Sequence, residues 1–221
     1  MTPPADAPTA VTFYLDPGCP WTWLSAGWLL DVAAQRDLTV RWRTFSLAML
    51  HEGRPVPPQF DTPEHRAGKA VAGQALRVVQ AAADAGDDAA GGRFYLEFGR
   101  RFHGSGAHPD VAMVADAAEA AGAMPMLEAA ADPGLDGAIA ASLQTALDLA
   151  GPDIGSPVLH VDGTSRGFFG PIVSPAPTGE EALRLWDAIV VLSTSPSFFE
   201  IKRGRSGKAS DEDLQAAGRT G

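Results

Sequence analysis

Cys19 is the chain's one cysteine, and it stands in the run Asp16-Pro17-Gly18-Cys19-Pro20-Trp21-Thr22. The first N–H groups of a helix have no intrahelical partner, and the helix dipole adds positive potential at the same end. A thiolate placed there is stabilised, so the Cys19 pKa is expected to fall from ~8.5 into the range ~3.5–7.5. Pro20 suits the first helical position because it has no N–H to waste. Thr22 lies one turn on, where its hydroxyl can donate to the same sulfur. A lone cysteine is most often a small buried hydrophobe, but a Gly-Cys-Pro turn entering a helix points to a reactive thiol. With no second cysteine there is neither an internal disulfide nor a multi-cysteine zinc site. The thiol must act on something outside the chain.

The elements that position it can be read from periodicity. Residues 11–16 are β-branched and aromatic, which suits a strand that Pro17 and Gly18 end. From residue 20 to 36, Leu24, Trp28 and Val32 fall at helical spacing with Leu29 beside them. Residues 38–45 (LTVRWRTF) alternate as a second strand, completing a βαβ unit. Thr62-Pro63 then reads as an N-cap with proline at N1, opening a helix to about residue 85. Further helices are expected over 92–102, 110–121, 124–131 and 135–149. Strand signals return at 157–161 (PVLHV), followed by an Asp162-Gly163 turn and Gly167-Phe168-Phe169-Gly170. Thr178-Gly179-Glu180-Glu181 fits a capping box opening a last helix, with Ala182, Leu183, Trp186, Ile189 and Val190 as its buried face.

The order βαβ, helical block, ββα is that of an α/β thioredoxin-like fold interrupted between its two halves. The expected division is a thioredoxin-like domain from residues 1–60 and 152–203, an all-helical insertion over 61–151, and a flexible tail over 204–221. In such folds the residue before the late strand's proline faces the active-site cysteine and the proline is cis. That position is held by Ser156-Pro157. His103 and His108 enclose the segment HGSGAH, but no carboxylate or thiolate accompanies them, so a metal is not expected. His103 is read as a loop histidine near a pocket or at the surface. His51 and Phe60 flank the Pro-rich loop after the second strand. Trp28, Trp42 and Trp186 fit core stripes, whereas Trp21 at the helix start is expected to be a binding platform.

A net charge of −10 and the absence of a basic stripe with interleaved aromatics argue against nucleic acid. The basic cluster 202–205, followed by Asp211, Glu212 and Asp213, reads as part of a solvated tail. No window has the length and apolarity of a membrane span, and residues 1–10 lack the charge and apolar core of a signal peptide. A cytoplasmic protein is expected. No Walker loop, G-x-G-x-x-G after a strand, H-E-x-x-H or G-x-S-x-G occurs, so a nicotinamide or flavin cofactor has no support.

Phe13-Tyr14-Leu15-Asp16-Pro17-Gly18-Cys19-Pro20-Trp21-Thr22-Trp23 resembles the FWFDPxCPWxW segment of the actinobacterial mycothiol-dependent nitroreductases, a DsbA-like branch of the thioredoxin superfamily. The similarity continues through residues 46–50, the His103 segment, 155–161, 168–171, 179–181 and 198–203. It implies a thioredoxin fold with a helical insertion closing over the cysteine, no tightly bound cofactor, and mycothiol as a reducing cosubstrate. By position, it places Trp21, His51, Phe60 and His103 in the pocket and Ser156-Pro157 at the cis-proline. The chain departs from the dithiol members at Thr22, which stands in place of their second cysteine. Monothiol chemistry on a small acceptor is what remains, with an external thiol resolving the Cys19 adduct. Cys19, Thr22 and Pro157 are the expected catalytic residues, with Pro20, Trp21, His51, Phe60, His103 and Ser156 around the substrate. Two alternatives stay open. One is a thiol transferase or isomerase resembling kappa-class glutathione transferases and chromene-carboxylate isomerases; the other is a non-catalytic ligand-binding protein. The oligomeric state is not set by the sequence.

Overall fold

The fully buried run Ala10–Leu15 forms β1, and burial of every residue means that both faces of this strand are covered. Thr39–Thr44 (β2) pairs parallel to it, with Phe13 opposite Trp42. The crossover is the helix Pro20–Arg36 (α1). The computed structural model describes residues 9–205 and 207–219. Val158–Val161 (β3) runs antiparallel to β1, with Leu159 opposite Phe13, and Phe168–Phe169 (β4) closes the other edge. The sheet order is β2-β1-β3-β4. Together with the βαβ and ββα connectivity, this is the thioredoxin arrangement.

Between β2 and β3 every described helix or strand is helical: Leu47–Leu50 (α2), Pro63–Asp84 (α3), Asp88–Phe102 (α4), Ala112–Ala121 (α5) and Asp136–Ala150 (α6), with short 3-10 turns between. Gly179–Ser193 (α7) and Asp211–Ala217 (α8) follow the sheet. One apolar core runs through both parts, from Phe13 and Leu159 in the sheet to Val79 and Phe94 in the helices. Two glycines of α4 make the junction close. A Cβ on Gly92 would stand 2.3 Å from Trp42 Nε1, and one on Gly99 would stand 2.2 Å from Trp23 Cζ3. Both indoles therefore lie directly on the α4 backbone, with Tyr95 between them at ring distances of 6.0 and 5.6 Å.

Several expectations need correction. Residues 124–131 are helical as expected, but in 3-10 form. Helix α4 starts earlier than expected: the Asp87 side chain caps it by accepting from Ala90 N–H, a signal masked by Gly91-Gly92. Thr178 makes no side-chain cap; the Asp31 carboxylate accepts the Gly179 N–H at 2.8 Å instead.

The tail is not uniformly loose. Ser210 caps α8, which buries Leu214 and Ala217. The Leu214 carbonyl accepts the Trp23 indole N–H at 2.9 Å, and the Gly218 carbonyl accepts the Arg100 Nε–H. Seven polar-rich residues gave no periodicity to read, yet tertiary contacts hold them as a helix. Residues 206, 220 and 221 of that tail, and residues 1–8 at the other end, lie outside the described residues. Among the described residues no helix is long and apolar enough to cross a membrane, and no group of three or more His, Cys, Asp or Glu side chains is gathered as a metal site would need.

Candidate active site around Cys19

Cys19 is the N-cap of α1, in extended backbone, with Pro20 at N1. The turn before it is stitched by Asp16. One carboxylate oxygen accepts the Gly18 N–H and the other accepts the Leu47 N–H, each at 2.8 Å. The Asp16 backbone carbonyl in turn accepts the Cys19 N–H. One buried carboxylate thus fixes both the cysteine turn and the start of α2. Burial raises the Asp16 pKa, and the two N–H bonds and Lys69 pull it back. Sequence reasoning missed this role, although an Asp two residues before a glycine in a turn is an Asx-turn signal.

His103 holds the same turn from the other direction. As the residue capping the end of α4, it bonds the Pro17 carbonyl through Nε2 at 2.9 Å, which assigns the proton to Nε2. Its ring stacks on Trp23 at 6.0 Å and meets the edge of Phe102 at 4.9 Å. Burial lowers its pKa to about 4 against the bond to Pro17, so the imidazole is neutral at pH 7. In the unfolded chain the ring takes a proton near pH ~6.5, whereas in the folded protein it does not until about 4. The stability it contributes is complete above pH ~6.5 and is lost as pH falls towards 4, by up to about 3 kcal/mol. His51 and His65, lowered by burial first, act in the same direction, and the raised Asp16 carboxyl opposes them at lower pH. We expect denaturant midpoints of the wild type to drop between pH 6.5 and 4, and His103→Gln to flatten that slope.

Ser156 brings the late half of the fold to the thiol. The Ser156–Pro157 peptide is cis, and the Pro157 carbonyl accepts the Gly170 N–H beside β4. The Ser156 carbonyl lies 3.6 Å from Cys19 Sγ and accepts its S–H. The Ser156 hydroxyl accepts the Asp16 N–H at 3.0 Å and lies 2.7 Å from Thr22 Oγ1. Because Ser156 Oγ already accepts from Asp16, its own proton can go to Thr22, which frees the Thr22 proton for the sulfur. Thr22 is fully buried and Cys19 only 6% exposed.

The consequence reverses the expected direction for the thiol. Burial pushes Cys19 up, and the Asp16 carboxylate adds to this. The Thr22 hydroxyl and the backbone N–H groups of Thr22 and Trp21 pull it back without overturning it. The resting site is a thiol donating to a carbonyl, with its thiolate-stabilising donors already in place. The Thr22 hydroxyl is the largest of the influences that pull Cys19 down, so Thr22→Val is expected to raise the Cys19 pKa further, and Ser156→Ala by less. The pH dependence of Cys19 alkylation measures both; an unchanged profile in Thr22→Val would show that the hydroxyl serves only Ser156.

A pocket of about 890 Å³ opens beside the turn, with Asp16 and Gly18 at its base and His51 and Phe60 in its walls. Trp21 and His103 are not part of this lining, contrary to expectation. Trp21 is partly buried against the core, with the Arg205 guanidinium 5.1 Å from its ring centre. His103 is held inward by Pro17. Arg205 is therefore packed on an aromatic face, not simply solvated. The expected residues divide into a buried group (Cys19, Thr22, Ser156 and Pro157) and a pocket group (His51 and Phe60). Pro20 stands at the helix start.

A lone thiol at the start of α1, facing a cis-proline on an antiparallel strand, gives the thiol site of a thioredoxin-type sheet. A family model described as "Rv2466c-like: Mycothiol-dependent nitroreductase Rv2466c" matches residues 18–203. The chain belongs to this Rv2466c-like family of thiol-dependent enzymes. A curated relative, "Uncharacterized protein Rv2286c" from Mycobacterium tuberculosis (strain ATCC 25618 / H37Rv), is 29% identical over 203 residues, which is 90% of this chain and 83% of that protein. Among solved structures, a putative protein-disulfide isomerase from Pseudomonas syringae is 18% identical with a TM-score of 0.48, over 81% of this chain and 92% of that one. A 2-hydroxychromene-2-carboxylate isomerase is 15% identical with a TM-score of 0.42, over 82% and 94%.

Proposed function

We propose that this protein is a monothiol oxidoreductase that uses mycothiol, or a similar small thiol, as cosubstrate. The observation that carries this reading is the placement of Cys19, capping α1 with its sulfur 3.6 Å from the Ser156 carbonyl, in a chain with no other cysteine. The Cys19 thiolate attacks the mycothiol sulfur of a mixed disulfide between mycothiol and an acceptor; a new S–S bond forms and the acceptor's thiolate leaves. A second mycothiol thiolate then attacks the adduct, returning Cys19 and mycothiol disulfide. When a small acceptor such as a nitroaromatic is reduced instead, Cys19 and one mycothiol supply two electrons by forming the mixed disulfide. The acceptor takes up those electrons with two protons.

In this scheme Thr22 stabilises the thiolate, while Ser156 and cis-Pro157 present backbone to the bound thiol. Pro20 and Trp21 flank the attack path. His51 and Phe60 contact the acceptor, and His103 acts as a positioning residue through Pro17. The partners are small molecules, and the cytoplasm, where thiols stay reduced, suits the chemistry. Intact-mass analysis after incubation with mycothiol disulfide tests the scheme. One mycothiol adduct on Cys19, reversed by free mycothiol, is the expected result, and no adduct overturns it.

A second reading is favoured by the raised Cys19 pKa and by its S–H bond to Ser156. A protein that keeps its own cysteine protonated can activate the thiol of a bound cosubstrate, as a transferase or isomerase would. Turnover that survives Cys19→Ser selects this reading.

A further inference from the structure

Acidic residues outnumber lysine and arginine 27 to 17 in this chain, and most arginines of the folded body are ion-paired, as in Arg43–Asp88, Arg66–Asp61 and Arg77–Asp136. The pocket beside Cys19 breaks this pattern. Arg54 and Lys69 both line it, and among the described residues neither is in an ion pair with a carboxylate. His51 and His65 line it too, and the nearby cations help burial to hold both imidazoles below their ordinary pKa.

Two acids face the same space, and both are engaged. Each oxygen of Asp16 accepts a backbone N–H beneath the cysteine turn. Glu64 is turned onto the start of α3, bonding its own backbone N–H and the Thr62 side chain. The start of that 22-residue helix contributes positive potential of its own.

The spacing along α3 relates these charges to the thiol. His65, Lys69, Ala72 and Leu76 all line the pocket, at intervals of four, three and four residues, which is one helix face. Ala72 lies against the cysteine turn, since a Cβ on Gly18 would stand 3.0 Å from the Ala72 Cβ. Lys69 is three residues earlier, about 4.5 Å along the axis. Lys69 therefore stands about one helical turn from the residue that packs on Gly18, on the same face of α3. The walls between are apolar, built from Leu47, Phe60, Ala72 and Leu76.

We infer that this pocket selects an amphipathic organic anion as the acceptor, with a carboxylate held by Lys69 and Arg54 and an aromatic or aliphatic body against the apolar walls. This deepens the monothiol reading, on which it rests for the identity of the reacting group. The ligand class differs from the thiol cosubstrate: it is a small carboxylate whose apolar end points to Gly18.

Equilibrium binding of 4-nitrobenzoate and of its neutral isostere 4-nitrobenzamide to the full-length wild type, without any thiol present, tests the inference. An exposed ion pair contributes ~0.2–1 kcal/mol, so two cations should favour the carboxylate by about fivefold at low salt. The preference should shrink as ionic strength rises. Lys69→Arg should keep it, and Lys69→Gln combined with Arg54→Gln should remove it. Both side chains are exposed, so the variants should fold. A wild-type preference below about threefold, or one that survives in the double variant, overturns the inference. The chemistry is read separately by the mycothiol adduct. Charge preference without an adduct keeps the pocket assignment and removes the monothiol reading; an adduct without charge preference does the reverse.

Discussion

If Cys19 is the nucleophile of a monothiol cycle, Cys19→Ser is expected to remove the mycothiol adduct and to lower thiol-dependent turnover to background, by at least ~10³-fold. A serine hydroxyl is not ionised by the same donors, and in the proposed scheme the thiolate is both the nucleophile and the sulfur that must be bridged. The loss should be as complete as that from removing the nucleophile of any covalent mechanism. Folding should be little affected, since serine fits the N-cap position and can still donate to the Ser156 carbonyl. Mass spectrometry and steady-state turnover on the same preparation check this. Loss of the adduct with turnover retained would move the chemistry from Cys19 to a bound cosubstrate thiol.

Gly99→Ala is the second large effect, and its sign is opposite to the usual one. Glycine to alanine inside a helix ordinarily stabilises by ~1 kcal/mol. Here the new methyl would stand 2.2 Å from the Trp23 ring, and a fully buried indole has nowhere to go. Overpacking of this kind costs ~1–3 kcal/mol beyond the helix gain. Gly73→Ala in α3 meets nothing within 4 Å and should instead stabilise by ~0.5–1 kcal/mol. Denaturant midpoints of the two variants should move in opposite directions.

The sequence made the frame of this molecule legible because each of its elements announces itself locally. The run Ala10–Leu15, the proline after Cys19 and the Thr62-Pro63 cap are all short-range signals, and the structure realises them. Ser156-Pro157 was found through the order of elements. What stayed hidden depends on separation along the chain. The Ser156 hydroxyl meets Asp16 140 residues away and Thr22 134 residues away, and no local pattern encodes either meeting. Trp23 falls between the helical stripes that located Trp28, yet it is more deeply placed than Trp21 because α4 supplies glycines to receive it. Helix α8 is hidden for the same reason, since Leu214 and Ala217 find their burial against α1, far away in the sequence. The thiol's raised pKa was missed because a helix N-terminus was weighed without the depth at which it lies.

The 140-residue span between Asp16 and Ser156 also orders events during synthesis. Cys19 leaves the ribosome before the helical block, and the helical block before Ser156. Until β3 emerges, β1 has only its parallel neighbour, and the sulfur lacks the carbonyl, the hydroxyl relay and the cis-proline that surround it in the finished protein. A further support of α1, the Leu214 carbonyl on the Trp23 indole, is made later than Ser156. A chain that has not yet reached Ser156 therefore carries an unprotected cysteine open to exchange with cellular disulfides. Once Ser156 is in place, the reactivity of that cysteine is set by its neighbours.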